Sequence, residues 1–172
     1  IGFFPTGEAA WGVFKHTEKR WGLLSSALYE LNPMMKSKNM IVANELTFKR
    51  GRDLRLTINL NSGRATEYNS LQMGGPEVTG KSKYSYAAGM EFSGTIQNVI
   101  VNSNNYLSSG YYPGTRRGAL NLSERLTWAR PNGNNIWGGI EYSKYSPKFF
   151  TNAFLFEQSS VNTRAEIGFS EK

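Results

Sequence analysis

Eight consecutive residues, Gly75, Pro76, Glu77, Val78, Thr79, Gly80, Lys81 and Ser82, match the phosphate-binding P-loop pattern letter for letter. That chemistry needs a helix to start at the Lys-Ser pair, so that its first free amides point at phosphate. The residues after Ser82 alternate as a strand does, and residues 70–74 before the match are polar and Gly-rich rather than a hydrophobic strand. Nucleotide binding is therefore not expected. Glu91 and Glu141, on separate strands, are the two carboxylates that could serve as acid and base in glycoside hydrolysis. Their simpler role is as isolated charges on a polar face, and no enzyme activity is expected. The single His16, between Lys15 and Thr17, has no companion pattern that would make it a base or a ligand. There is no cysteine, which removes disulfides, thiolate metal sites and thiol nucleophiles. Neither a metal nor a cofactor is expected.

The elements that would position these groups are strands. Between residues 84 and 96, Tyr84, Tyr86, Ala88, Met90, Phe92, Gly94 and Ile96 alternate with Ser85, Ala87, Gly89, Glu91, Ser93 and Thr95. A period of two over such a stretch predicts one long strand with an oily side and a small, polar side. Ordinary strands stop near 5–6 residues, whereas strands crossing a bilayer at a tilt need about 9–11. Residues 9–29 carry apolar residues near helical spacing, but Gly12 and Gly22 weaken a helix, so a hairpin around the polar residues 15–20 is favoured. Met40, Val42, Leu46 and Phe48 alternate up to a turn at 50–53, and Leu54, Leu56, Ile58 and Leu60 return from it, the clearest hairpin in the chain. A short strand is expected over 64–68, a flexible loop over 70–83 and a polar, aromatic loop over 102–118. Further strands are expected at 120–128, 136–143, 150–157 and 161–169, with Glu124 a misfit on the oily side of the first.

Composition fits this plan. Of 172 residues, 39% are hydrophobic and 13% aromatic, with abundant Gly, Asn, Ser and Tyr, a mixture suited to strands and turns. No run of about 18 apolar residues exists, which excludes only the helical class of membrane protein. The chain opens at Ile1 without an initiator Met or a basic-then-apolar leader, as expected of a processed protein or an internal stretch of a longer one. The net charge of +7 raises nucleic acid or anionic lipid as partners. No basic helix is present and no Lys/Arg run exceeds a pair such as Arg116-Arg117, so nucleic-acid binding is not expected.

Alternation alone does not separate a barrel from a soluble sandwich, because both bury one face. The second face does. Instead of abundant lysine it carries Ser, Thr, Asn, Gly and Ala with scattered charges at Glu45, Arg55, Glu91, Arg125, Glu141, Arg164 and Glu166. These suit a crowded lumen, where opposite charges pair across the interior. Aromatics gather near strand ends at Tyr84, Tyr86, Trp128, Tyr142, Tyr145, Phe149 and Phe150, as in interfacial girdles. Within the 102–118 loop, Tyr111, Tyr112, Arg116 and Arg117 are the candidates for meeting a partner or narrowing an opening, the arginines being able to clamp carboxylates or phosphates.

Tyr111-Tyr112-Pro113-Gly114-Thr115-Arg116-Arg117-Gly118, followed by Ala119-Leu120-Asn121-Leu122-Ser123-Glu124-Arg125-Leu126-Thr127-Trp128, resembles in style the large outer-membrane barrels of Gram-negative bacteria, usher-like assembly barrels among them. The resemblance spans residues 84–169. It implies passage or assembly of protein across the outer membrane, with membrane lipid, lipopolysaccharide and envelope proteins as partners. The expectation is one all-β unit over residues 1–172, an antiparallel up-and-down β-barrel of about 8–10 strands or a segment of a larger barrel. It would sit in the cell outer membrane and serve transport, assembly or structural support. The alternative is a secreted soluble all-β domain that binds or hydrolyses polysaccharide, with Tyr106, Tyr111, Tyr112, Trp128 and Trp137 as stacking platforms. A structural subunit of an envelope complex is the third expectation.

Overall fold

A computed structural model describes residues 8–32, 37–51, 53–67, 81–112, 116–131, 133–148 and 159–171. These form nine strands: β1 (Glu8–Thr17), β2 (Trp21–Asn32), β3 (Ser37–Arg50), β4 (Leu54–Glu67), β5 (Lys81–Ile96), β6 (Val99–Ser108), β7 (Ala119–Ala129), β8 (Asn135–Tyr145) and β9 (Ser160–Ser170). They pair in sequence order as one antiparallel up-and-down sheet. The sheet is open: β1 and β9 are its edges and do not pair with each other. The nine strands are the expected architecture; a closed barrel is not what is observed.

Each strand touches only its neighbours in sequence, so among the described residues no second layer of strands packs on either face. A sandwich or jelly roll, which stacks two sheets about 10 Å apart, is a different arrangement. With one layer there is almost no core. Ala87, Tyr112 and Pro147 are the buried apolar side chains among the described residues, while Trp11, Tyr84, Leu60, Leu126, Ile140 and Ile167 stand exposed.

The pairing register sorts the side chains. Leu56 lies across from Phe92, and Phe48 from Leu56 and Trp21, so these share one face. That face continues through Ile58, Met90, Val101, Leu126, Ile140 and Ile167. The opposite face carries Thr57, Asn59, Glu91, Asn104, Ser123 and Glu141. From β3 to β9 Ile41 and Ile100 are the large aliphatic exceptions on the polar side, while Asn44, Arg64, Ser103, Asn105, Glu124 and Lys144 interrupt the apolar side. At β1 and β2 it breaks, where Trp11, Val13, Leu24 and Leu28 also occupy the polar face; nothing in the structure explains these four.

The connections are asymmetric. At one end of the sheet they are three, three, two and five residues long; at the other they are four, thirteen, ten and fourteen. The short turns use local backbone chemistry: Gly51 and Gly133 take φ of 67° and 89°, and Gln97 takes 56° in the two-residue turn.

Several boundaries differ from the sequence expectations. The stretch 102–118 is not one loop, because its first part is the body of β6. Asn102, Asn104 and Asn105 have loop-like composition, but they are held in register between β5 and β7. The short strand expected at 64–68 is the continuation of β4, and the long strand starts at Lys81, inside the expected loop. β1 extends through Thr17, so the first turn is shorter than residues 15–20. The strand expected at 150–157 lies outside the described residues.

Candidate functional site

The polar face is where chemistry-bearing side chains collect. Glu45 lies across from Asn59, Arg55 from Ser93, Glu91 from Asn104, Ser123 from Glu141, and Glu141 from Arg164. All seven charged positions expected on one face, Glu45, Arg55, Glu91, Arg125, Glu141, Arg164 and Glu166, therefore do share one face. They are not all brought together. Arg125 Nη1 lies 3.6 Å from Glu166 Oε1, and Arg164 Nη2 lies 2.9 Å from Glu166 Oε2, so one carboxylate bridges two guanidinia on β7 and β9. Glu141 faces the same group and lines a cavity with it. Glu45 instead accepts a hydrogen bond from the Thr47 hydroxyl at 3.2 Å.

Glu91 and Glu141 occupy the same register row, three strand spacings apart. That is about 14 Å at roughly 4.8 Å per strand. Glycoside hydrolysis uses carboxyl groups about 5–9.5 Å apart. The Cα atoms of this pair are thus set farther apart than the carboxyl groups of that chemistry. The P-loop match ends on Lys81 and Ser82, which open strand β5 rather than a helix; its remaining residues, 75–80, lie outside the described residues. His16 sits in β1, its Nε2 3.6 Å from Glu18 Oε1 and its ring 5.0 Å from that of Trp21. Among the described residues no cluster of His, Asp or Glu could hold a metal ion.

A second group sits where residues 109–112 and 116–118 fold back over the polar face. Ser109 continues the β5 ladder, its N–H donating to the Tyr86 carbonyl at 2.9 Å. From there the Tyr112 phenol reaches the Asn61 side chain on β4, and Tyr112 is only 8% exposed. Burial raises the Tyr112 phenol above its ordinary value, the neighbouring Tyr106 raises it further, and the Asn61 hydrogen bond partly offsets both. Ala87, in register with Asn61 and Ser108, is buried, and its small side chain leaves room for the loop. The Lys83 ammonium lies 5.7 Å from the Tyr111 ring, and the Arg116 guanidinium 4.8 Å from the Tyr106 ring. Arg117 turns inward instead, donating to the carbonyls of Tyr112 at 3.2 Å and Lys148 at 3.3 Å. In these contacts the two arginines serve different partners.

Backbone bonds tie the loop to residues 146–148: Ser146 N–H donates to Gly118 O and Lys148 N–H to Gly110 O, both at 2.8 Å. Gly118 is required at this seam. Its φ is 62°, and a Cβ there would lie 2.1 Å from the Ser146 carbonyl oxygen.

Two aromatic–glycine pairs, which the pattern along the chain does not reveal, floor the polar face. Tyr106 lies across from Gly89, and Trp137 from Gly168. A Cβ on Gly168 would meet Trp137 Cζ2 at 2.1 Å and one on Gly89 would meet Tyr106 Cδ2 at 3.4 Å, so each ring lies over its glycine. Arginine covers both rings, Arg116 over Tyr106 and Arg125 over Trp137 at 4.6 Å. The available signal was a glycine facing an aromatic across two strands, legible only once the register is known.

The apolar face carries aromatics at both ends. Trp21, Phe48, Phe92, Trp128 and Phe169 lie toward the short turns, and Tyr29, Tyr84, Tyr86 and Tyr142 toward the long connections. Tyr145 is on the polar face, and Phe149 and Phe150 lie outside the described residues. Some polar members of the apolar face partner one another, although Asn105 Oδ1 is buried without a hydrogen bond among the described residues. Ser25 Oγ donates to Asn44 Oδ1 at 2.8 Å, and Glu124 Oε1 accepts from Ser103 Oγ at 2.8 Å and Asn105 Nδ2 at 2.7 Å. Glu124 is thus on the oily side as expected, and its neighbours across the strands partner it.

The fold defines an antiparallel meander with one apolar and one polar face, the polar face partly covered by its own loop. No protein-family model matches the chain, and neither a curated protein nor a solved structure matches it.

Proposed function

We propose that this chain forms part of the wall of an outer-membrane β-barrel. Its apolar face meets lipid, its polar face lines the interior, and its role is transport, protein assembly or structural support without catalysis of its own. The observation that carries the reading is the bare apolar face: a single sheet with large hydrophobic side chains exposed and nothing packed on them among the described residues. In water such a surface drives association, since monomeric soluble proteins rarely expose apolar patches beyond a few hundred Å².

Dimensions support the same reading. The strands run 10 to 16 residues, enough to cross a bilayer at a tilt. On β2 and on β5 the two aromatic rows are eight residues apart, about 26 Å along the strand and roughly 20 Å after a tilt near 40°. The lipid-facing band of such barrels is about 25 Å tall between its girdles. Short turns at one end and long connections at the other match the usual pattern, which would place the long connections outside. Residues 109–112 and 116–118 then lie within the lumen and narrow it. β1 and β9 run in the same direction, so an antiparallel seam needs at least one further strand between them, whether from the same protein or another chain.

The test compares neighbouring residues on opposite faces. In detergent micelles and in bilayers of brominated lipid, a fluorophore at position 58 or 60 is quenched, whereas one at 57 or 59 is not. Arginine at Ile58 costs about 2–4 kcal/mol of stability if that position is deep in lipid, and arginine at Asn59 far less. A chain that remains folded and monomeric in plain buffer refutes the proposal.

A further inference from the structure

On the polar face at the short-turn end, Lys49 and Arg55 stand directly opposite each other. Like charges in that position destabilise a sheet unless something lies between them. Neither side chain makes an ion pair or hydrogen bond with a described residue, and neither does Lys15 on β1. All three line one cavity of about 350 Å³, together with Thr17, Glu18, Glu45 and Thr47. Glu18 and Glu45 also line the cavity, but among the described residues neither forms an ion pair with Lys49 or Arg55. Glu45, bonded to Thr47, stands two register rows deeper than that pair, in the same row as Lys15, and Glu91 stands one row deeper. The contrast with β7–β9 is direct, since there Glu166 pairs with both arginines.

We infer that Lys49 and Arg55, with Lys15 deeper along the same cavity, form a binding site for a phosphate-bearing anion. A guanidinium fork and ammonium groups suit an oxyanion that has several acceptor oxygens and more than one charge. The site depends on the placement of three cations on one face, and it stands whether or not the other face meets lipid. The phosphate comes either from a free solute or from a lipid headgroup.

The test uses the full chain, folded in micelles or in buffer, whichever retains the β-sheet circular dichroism spectrum. Isothermal titration with inorganic phosphate is expected to show binding that weakens at least tenfold in Lys49→Gln/Arg55→Gln and is unchanged in Arg164→Gln. Lys49→Glu replaces the facing repulsion with an attraction, so the fold is retained while binding is lost. In parallel, flotation with phosphatidylglycerol vesicles is compared with flotation on phosphatidylcholine. Lipid binding that depends on Lys49 and Arg55, with none to free phosphate, assigns the anion to a headgroup. Binding of neither probe, or variants equal to the unmodified chain, overturns the site.

Discussion

Gly118→Ala separates a loop that is built into the polar face from one that merely rests on it. Two glycines of nearly equal conformation provide the comparison, Gly118 with φ 62° and Gly51 with φ 67°. Placing alanine in this left-handed region costs about 1–2 kcal/mol at either position. At Gly51 a Cβ meets nothing within 4 Å, so that is the whole effect. At Gly118 it meets the Ser146 carbonyl at 2.1 Å, and backbone on both sides must separate. The Ser146 N–H to Gly118 O bond at 2.8 Å and the Gly118 N–H to Ser109 O bond at 3.0 Å are then lost. Each is worth about 0.5–1.5 kcal/mol net. Loop docking should weaken by about 2–5 kcal/mol, roughly 30- to 5,000-fold in its equilibrium constant. Amide hydrogen exchange at Tyr112, Gly118, Ser146 and Lys148 measures this directly, with Gly51→Ala as the control. If the channel reading holds, single-channel conductance rises in the same variant. Exchange at Tyr112 no faster in Gly118→Ala than in Gly51→Ala would refute the proposed seam.

Three other outcomes rest on the same kinds of contact. Gly168→Ala should lift the Trp137 ring off its glycine and away from Arg125, costing about 1–3 kcal/mol in denaturant titration. It should also shift tryptophan fluorescence, and that shift should vanish in a Trp137→Phe background. Glu124→Leu alone should destabilise by about 1–3 kcal/mol, because Asn105 loses its carboxylate partner. The double variant Glu124→Leu/Asn105→Leu should recover most of that loss in detergent, and a double-mutant cycle that shows simple additivity would contradict the pairing. Because burial raises the Tyr112 phenol, the folded state favours the neutral form. Its contribution to loop docking is complete below the ordinary value of 10.0 and is lost as pH rises through the higher folded value. Hydrogen exchange of the loop across that alkaline range should be steeper in the unmodified chain than in Tyr112→Phe.

Which side chains share a face was legible from the order of residues alone. Side chains alternate with a period of two, so Arg55 and Glu91, or Arg164 and Glu166, needed only correct strand assignment to be placed together. Hairpin order came from the short turns, and the misfit of Glu124 was visible in the alternation of β7. The strand β6 was hidden because Ser103 and Asn105 put polar residues on both of its sides, leaving no two-sided pattern to read. Its conformation is imposed by the ladders of β5 and β7. That the sheet is one open layer emerges only in three dimensions, since identical alternation serves a sandwich or a barrel wall. Folding likewise laid the loop over Asn61 and Ala87, set Ser146 against Gly118, and spread Glu91 and Glu141 three strands apart. These are contacts between residues distant along the chain, fixed by pairing register and by close approach of backbones, and neither leaves a local mark in the residues that make them.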